Sequence, residues 1–361
     1  MSASSLYIHI PFCTRKCLFC SFVIAVGQEH RRKEYVDALV YEMKKNEGKH
    51  LKTIYFGGGT PSMLEENHLD ILMNAIRKYF SFQNDIEMTI EANPESINHI
   101  KAKFLKAQGF NRVSLGVQSM NDRYLKFLGR NHDGAMARGA YRILREAGFV
   151  NINLDLMYAF PGETMEELEE DVRDISLLGS EHLSLYTLTI EPNSRFFATQ
   201  MKLDDDEKLA EQYVVIGRIL RGHGFGQYEI SNFARAGFES MHNKNYWQGG
   251  PYMGLGVGAH GFDGQRRYWN TSNLQNYMKR IKSEGEAIEG FEDLTDAQLI
   301  MERILFGLRM NEGAPWDLVP LSKIGLVQTW IEEGFLFLEK GALKTTDRGR
   351  LVLDELSSRL I

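Results

Sequence analysis

The sequence is poor in cysteine, with three residues in 361, and in proline, with eight. Three thiols cannot form a closed disulfide framework, so they point to a reducing compartment and to metal binding rather than covalent stapling. It also lacks any run of roughly 18 apolar residues, which argues against a membrane-spanning helix. There is no excess of positive charge: 42 Lys and Arg stand against 48 Asp and Glu, a formal net charge of −6. Nucleic acid is therefore not an expected partner. The first residues, Met1 to Tyr7, hold neither a basic stretch nor an apolar one, so export is not expected and a cytoplasmic location is.

What is present is the composition of a folded protein, 43% hydrophobic and 25% charged. The length exceeds what one core usually organises, so a large domain and a smaller one are expected. Short runs rich in Val, Ile and aromatics alternate with longer amphipathic stretches, the pattern of βα units around a parallel sheet. Six strands are predicted: Leu6 to Ile10, Thr53 to Phe56, Glu87 to Glu91, Arg112 to Val117, Asn151 to Met157 and His182 to Leu188. Helical patterns follow them, as in Lys33 to Asn46, where Tyr35, Val36, Leu39, Val40 and Met43 share a face. The fold class expected is α/β, a partial (β/α)6 barrel over residues 1–230.

Residues 231–290 read as a connecting lobe, within a Gly-rich, aromatic stretch without clear helical period until Leu274. Residues 291–361 suggest a winged-helix-like unit: helices Asp296 to Met310 and around Leu321 to Glu333, a strand pair Phe335 to Lys344 turned at Lys340-Gly341, and a final helix. That unit holds 8 Lys and Arg against 12 Asp and Glu. A net −4 would repel phosphates, so protein docking or a lid is the expectation, not DNA binding.

In barrels of this kind chemistry gathers at the C-terminal ends of the strands. After the first strand comes Cys13-Thr-Arg-Lys-Cys17-Leu-Phe-Cys20, which contains every cysteine of the chain. Three thiolates on one loop can hold three irons of a [4Fe-4S] cluster and leave the fourth open. The competing readings are three buried free thiols, or a zinc site short of a ligand with His9 nearby. After the second strand, Gly57-Gly-Gly-Thr-Pro61 allows close backbone approach and could expose amides to a ligand, or could be a tight turn. Glu91, Gln118 and Asp155 stand at strand ends, where polar residues are common for structural reasons too. Arg130 follows on a helical segment, either as a surface arginine or as a carboxylate clamp.

The C-x3-C-x2-C loop, with Phe19 before its last cysteine, resembles the signature of the radical S-adenosylmethionine (SAM) superfamily. Through Tyr7 to Cys13, Gly57 to Pro61, Glu91 to Pro94, Gly116 to Gln118 and Asn153 to Met157, the chain is similar to the coproporphyrinogen oxidase-like branch of that superfamily. The resemblance implies cluster ligands Cys13, Cys17 and Cys20. It implies SAM contacts at Tyr7, Phe19, Gly58, Gly59, Thr60, Glu91, Gln118, Arg130 and Asp155.

The same branch contains oxygen-independent coproporphyrinogen III oxidases and the heme chaperones of the HemW family. The oxidases carry a further cysteine two positions after the third, where this chain has Phe22, and a longer segment ahead of the cluster strand. His242-Asn-Lys-Asn-Tyr-Trp247, followed by Gly254 to Gly261, resembles the H-N-x-x-Y-W region associated with heme in the HemW family. Either His242 or His260 could then be an axial ligand beside aromatic faces. The resemblance implies heme as cargo, an apo-hemoprotein as its acceptor, and room for peripheral membrane contact or a homodimer. The oxidase, which would decarboxylate coproporphyrinogen III, is the alternative.

Overall fold

The computed structural model describes residues 5–360. The six expected strands all form: β1 Ser5–Ile10, β2 His50–Gly58, β3 Ser81–Ala92, β4 Arg112–Gln118, β5 Ile152–Tyr158 and β6 His182–Thr187. They pair in chain order, each parallel to the next. Helices cover the outer face.

Why these strands curve around a lumen is visible in their alternation. Leu6, Ile8 and Ile10 of β1, Ile54 and Phe56 of β2, and Val113, Leu115 and Val117 of β4 are fully buried against the helices. Each such side chain contributes roughly 1.5–3 kcal/mol by leaving water. The intervening residues are polar or small and share the opposite face. The register aligns Ser5 with Thr53 and Tyr7 with Tyr55, then Thr89 with Arg112, Gly116 with Asp155, and Asp155 with Ser184. A parallel sheet buried on both faces ordinarily reads as unbroken apolar sequence. Here one buried face is a polar lumen.

The helix expected at Lys33 to Asn46 spans Arg32–Lys45 and buries Tyr35, Val36, Leu39 and Met43. The helix Met165–Ser176 starts on a capping box of Thr164 and Glu167, which satisfies amides that the first turn leaves unpaired.

The Gly-rich, aromatic stretch is ordered as short strands of the same sheet. Asn232–Ala234 pairs antiparallel with β6, whereas Tyr252–Leu255 pairs parallel with β1 and begins an antiparallel run through His260–Phe262, Arg266–Asn270 and Ile288–Asp293. Strands this short carry too few alternations to register in sequence. The glycines are required by close packing: a side chain on Gly256, at φ +104°, would meet the Tyr35 hydroxyl and the His9 carbonyl. Buried Glu42 accepts from the Gly256 amide, Asn270 and Tyr277, and so ties this loop to the helix Arg32–Lys45.

In the C-terminal part, helix Asp296–Arg309 packs with helix Ile324–Glu332 and the hairpin Leu336–Glu339 and Ala342–Thr345 around a separate core that includes Leu308, Val327, Trp330 and Leu343. The hairpin turns at Lys340 and Gly341, both at positive φ. Strand Ala314–Pro315 adds a third strand. Among the described residues no helix is long and apolar enough to cross a membrane.

One buried carboxylate outside the lumen gives a stability test. Glu163 accepts from the amides of Ala159 and Phe160 and from Gln212, holding the turn after β5, where Ala159 sits at φ +65°. Burial raises it from 4.5 to about 7. The folded protein therefore keeps a proton that the unfolded chain releases, so this group's contribution is complete below pH 4.5 and is lost as pH rises through about 7. Glu163→Gln, which does not titrate, should flatten the dependence of the urea midpoint on pH between 5 and 8. An unaltered slope would mean that Glu163 ionises alike in both states.

Candidate functional site

The loop after β1 is pinned at several points. Ala25 donates its amide to the Pro11 carbonyl at 2.7 Å, Leu18 to Leu128 at 3.0 Å, and Thr60 to Phe12 at 3.0 Å. Arg15 reaches Asn131 at 2.7 Å and Lys16 reaches the Asn193 carbonyl at 3.0 Å. So fixed, the loop brings Cys13, Cys17 and Cys20 to one cavity of about 580 Å³ at the strand ends. Phe19, Gly58, Gly59, Thr60, Glu91, Gln118, Arg130 and Asp155 line the same space.

Burial pushes the Cys13 thiol up to about 11 and raises that of Cys20, so without a cation the cavity disfavours thiolates. Among the described residues, no three His, Cys, Asp or Glu side chains gather as a single metal ion requires. A cluster needs no such gathering, since each thiolate binds a separate iron at its own corner. An all-thiol donor set on one pinned loop fits iron and sulfide.

The glycine turn differs from the expectation in one respect. The amides of Gly59 and Thr60 donate to the Ile10 and Phe12 carbonyls, and that of Gly58 donates to Glu91 Oε2 at 2.9 Å. All three amides are thus satisfied within the chain. The glycines are needed instead for close approach: a Cβ on Gly58, at φ +114°, would overlap the His9 ring, and one on Gly59 the backbone of Pro11.

Glu91 also accepts from the Tyr55 hydroxyl at 2.8 Å. Burial, with Asp155 adding repulsion, raises it to about 7, which suits a residue that holds the glycine turn in place. Asp155, likewise raised by burial, accepts from Asn153 at 2.8 Å and Ser114 at 3.2 Å.

Arg130 lies past the end of helix Asp122–Leu128, not on a helix, and turns inward. Its guanidinium donates to Asn93 Oδ1 at 2.6 Å, to the Gly116 carbonyl at 2.7 Å and to Cys17 Sγ at 3.5 Å. It is thus not a loose surface arginine. Gln118 stands at φ +70°, beside a register shift in the pairing of β4 with β5. A non-glycine residue held there costs on the order of 1–3 kcal/mol and commonly marks a functional position.

Tyr7 and His242 lie elsewhere. Tyr7 lines a second cavity, and its hydroxyl contacts His9 Nδ1 at 3.0 Å. His242 is buried in the lumen on helix Met241–Trp247. That helix begins over β3: Glu87 accepts from the amides of Met241 and His242, each at 2.9 Å, the favourable placement of a carboxylate at a helix N-terminus.

The His242 ring stacks on Tyr55 at 4.9 Å, with Nδ1 2.8 Å from the Thr53 hydroxyl and Nε2 2.8 Å from the Tyr246 hydroxyl. Because Thr53 donates to Ser5, Nδ1 carries the hydrogen and Nε2 accepts the Tyr246 proton. Burial lowers its pKa to about 3. Both nitrogens are hydrogen-bonded in this arrangement, so His242 could offer a lone pair to iron only by releasing Tyr246. His260, by contrast, is exposed and lines the second cavity.

Sequence reasoning missed Arg112, Tyr55 and Asn93, all of which line the first cavity. Arg112 is 1% exposed, and its Nε has no hydrogen-bond partner. It begins a strand, where a polar residue draws no notice, and only the register of the sheet, Thr89 opposite Arg112, turns it into the lumen.

The model for the radical SAM superfamily matches residues 7–175. A relative from Bacillus subtilis, called heme chaperone HemW, is 36% identical over 98% of this chain and 97% of its own length. A relative of the same name from Escherichia coli is 36% identical over 86% of this chain and 84% of its own. The structure described as coproporphyrinogen III oxidase HemN of Escherichia coli superposes with a TM-score of 0.87 over 99% of this chain and 90% of its own, at 24% identity, a likeness of fold.

The pinned cysteine loop and the parallel strands thus belong to a protein of the radical SAM class, whose members hold a [4Fe-4S] cluster and SAM. Within that class the chain belongs to the HemW family. Replacement of Cys17 by Ala should abolish the visible absorption of a [4Fe-4S] cluster after anaerobic reconstitution; full iron and sulfide in that variant would refute cluster ligation by this loop.

Proposed function

We propose that this chain is a cytoplasmic heme chaperone that carries heme together with a [4Fe-4S] cluster and SAM, and delivers the heme to apo-hemoproteins of the respiratory chain. The observation that carries this reading is the match to relatives named heme chaperone HemW along nearly the whole chain. A second feature agrees with it: the residue two positions after Cys20 is Phe22, with 64% of its surface exposed, where the oxidases are expected to carry another cysteine. The unit at residues 291–361 is read as a winged-helix-like docking or lid domain for the acceptor.

Cys13, Cys17 and Cys20 would hold the cluster, whose bound form supplies an electron to the sulfonium of SAM. Tyr7, Phe19, Gly58, Gly59, Thr60, Glu91, Gln118, Arg130 and Asp155 are the proposed SAM set. In it Arg130 offers its cation to a carboxylate beside Cys17, and Gln118, which lines the cavity, offers a hydrogen bond. Gln118→Gly should raise thermal stability, by up to about 1 kcal/mol from relieved backbone strain, and weaken SAM binding roughly tenfold, the value of one lost hydrogen bond. Unchanged SAM binding in equilibrium dialysis would remove Gln118 from the set.

The deciding experiment incubates the reconstituted protein with SAM and reductant, in one sample with coproporphyrinogen III and in another with hemin. Stoichiometric hemin retention without porphyrinogen turnover is expected. Decarboxylated porphyrinogen together with 5'-deoxyadenosine would make the protein an oxidase.

A further inference from the structure

Ser21 and Phe22 line both cavities, so the loop that carries the cysteines forms a common wall between them. The second space, about 470 Å³, is within the range of roughly 300–1,000 Å³ typical of small-molecule sites. Its remaining walls are largely aromatic, among them Tyr7, Trp247, Tyr252, Phe262 and Phe306. Flat apolar rings of this kind match the faces of a planar macrocycle.

Two imidazoles line that space, those of His9 and His260, and both nitrogens of His9 are engaged, Nδ1 with the Tyr7 hydroxyl at 3.0 Å and Nε2 with the Val23 carbonyl at 2.8 Å. His260 is exposed on strand His260–Phe262, and its ring makes no hydrogen bond to any described residue. The ring stacks on Trp269 with centroids 6.0 Å apart and planes inclined by 28°. Arg267 lines the same cavity, 2.5 Å from Glu302, and is the cation nearest to hand for an acidic substituent.

We propose that the second cavity is the heme site, with the His260 imidazole as axial ligand and Arg267 facing a propionate. The assignment rests on the heme-chaperone reading and goes beyond it by naming the site and the ligand. Binding forms one coordinate bond, from an imidazole lone pair to the iron, and displaces a weak ligand such as water; no bond of the porphyrin breaks and no electron is transferred. The H-N-x-x-Y-W motif then has divided roles. His242 closes the lumen by bonding Thr53 and Tyr246, whereas Tyr246 and Trp247 present aromatic surface to the heme.

The test is a hemin titration of the full chain, followed by the Soret spectrum, for the unaltered protein and for His260→Ala and His242→Gln. His260→Ala should lose the histidine-ligated spectrum and bind hemin at least tenfold more weakly, and free imidazole should restore the spectrum by occupying the vacated position. His242→Gln should keep spectrum and affinity while unfolding at a lower temperature. An unchanged spectrum and affinity in His260→Ala would overturn the site assignment and leave the heme-chaperone reading standing. Failure of the unaltered chain to retain hemin would overturn both.

Discussion

The structure depends on a polar surface that is buried inside a parallel barrel. Every second residue of the six strands turns inward, and those residues are largely ionisable or hydrogen-bonding: Thr53, Glu87, Glu91, Arg112, Asn153, Asp155 and His182. Burying them without partners would cost several kcal/mol each. The lumen is therefore cross-linked: Asn153 bonds Ser114, Asp155 and His182, while Tyr228 reaches His182 from outside the six strands. The helix Met241–Trp247 supplies further partners, through its amides to Glu87 and through His242 to Thr53.

This network decides what the strand ends can offer. Glu91 spends both oxygens on Tyr55 and the Gly58 amide, which fixes the glycine turn against His9 and leaves the cavity lined by a rigid frame. Arg130 is held by Asn93 and Gly116 while touching Cys17. Groups that must meet a cluster and a cofactor at set positions gain from such restraint, because little ordering remains to be done on binding. The strained φ of Gln118 agrees with this, since a residue is kept in that region only where its surroundings dictate it.

The cysteine loop belongs to two cavities at once. Its first part carries the thiols into the mouth of the barrel, and Ser21 and Phe22 then form a wall of the aromatic space beside Tyr7 and His260. Trp247 continues that wall and packs on Phe306 at 5.8 Å, with the Arg309 guanidinium over the Trp247 ring at 4.5 Å. Barrel, cluster loop and C-terminal unit therefore meet around one space, and a ligand held there would touch all three.

The strands and the cysteine spacing were legible because each is encoded locally: alternation sets which face is apolar, and three thiols within eight residues share a loop however the rest folds. The glycine turn was legible as a turn at a strand end, but its amides are spent on the Ile10 and Phe12 carbonyls and on Glu91, which depends on β1 and β3 lying alongside. The role of His242 could not be read, because a histidine next to aromatics looks the same whether its nitrogens are free or paired; Thr53 lies 189 residues away. Arg112 was invisible for a like reason, since a charge at the start of a strand signals nothing until the register aims it at Asp155 and Glu91. By itself the sequence determined the class of fold and the cluster loop, through periodicity and local spacing. Which polar groups remain free for a ligand was decided by the tertiary structure, because a hydrogen bond between distant strands consumes the same donor or lone pair that a ligand would need.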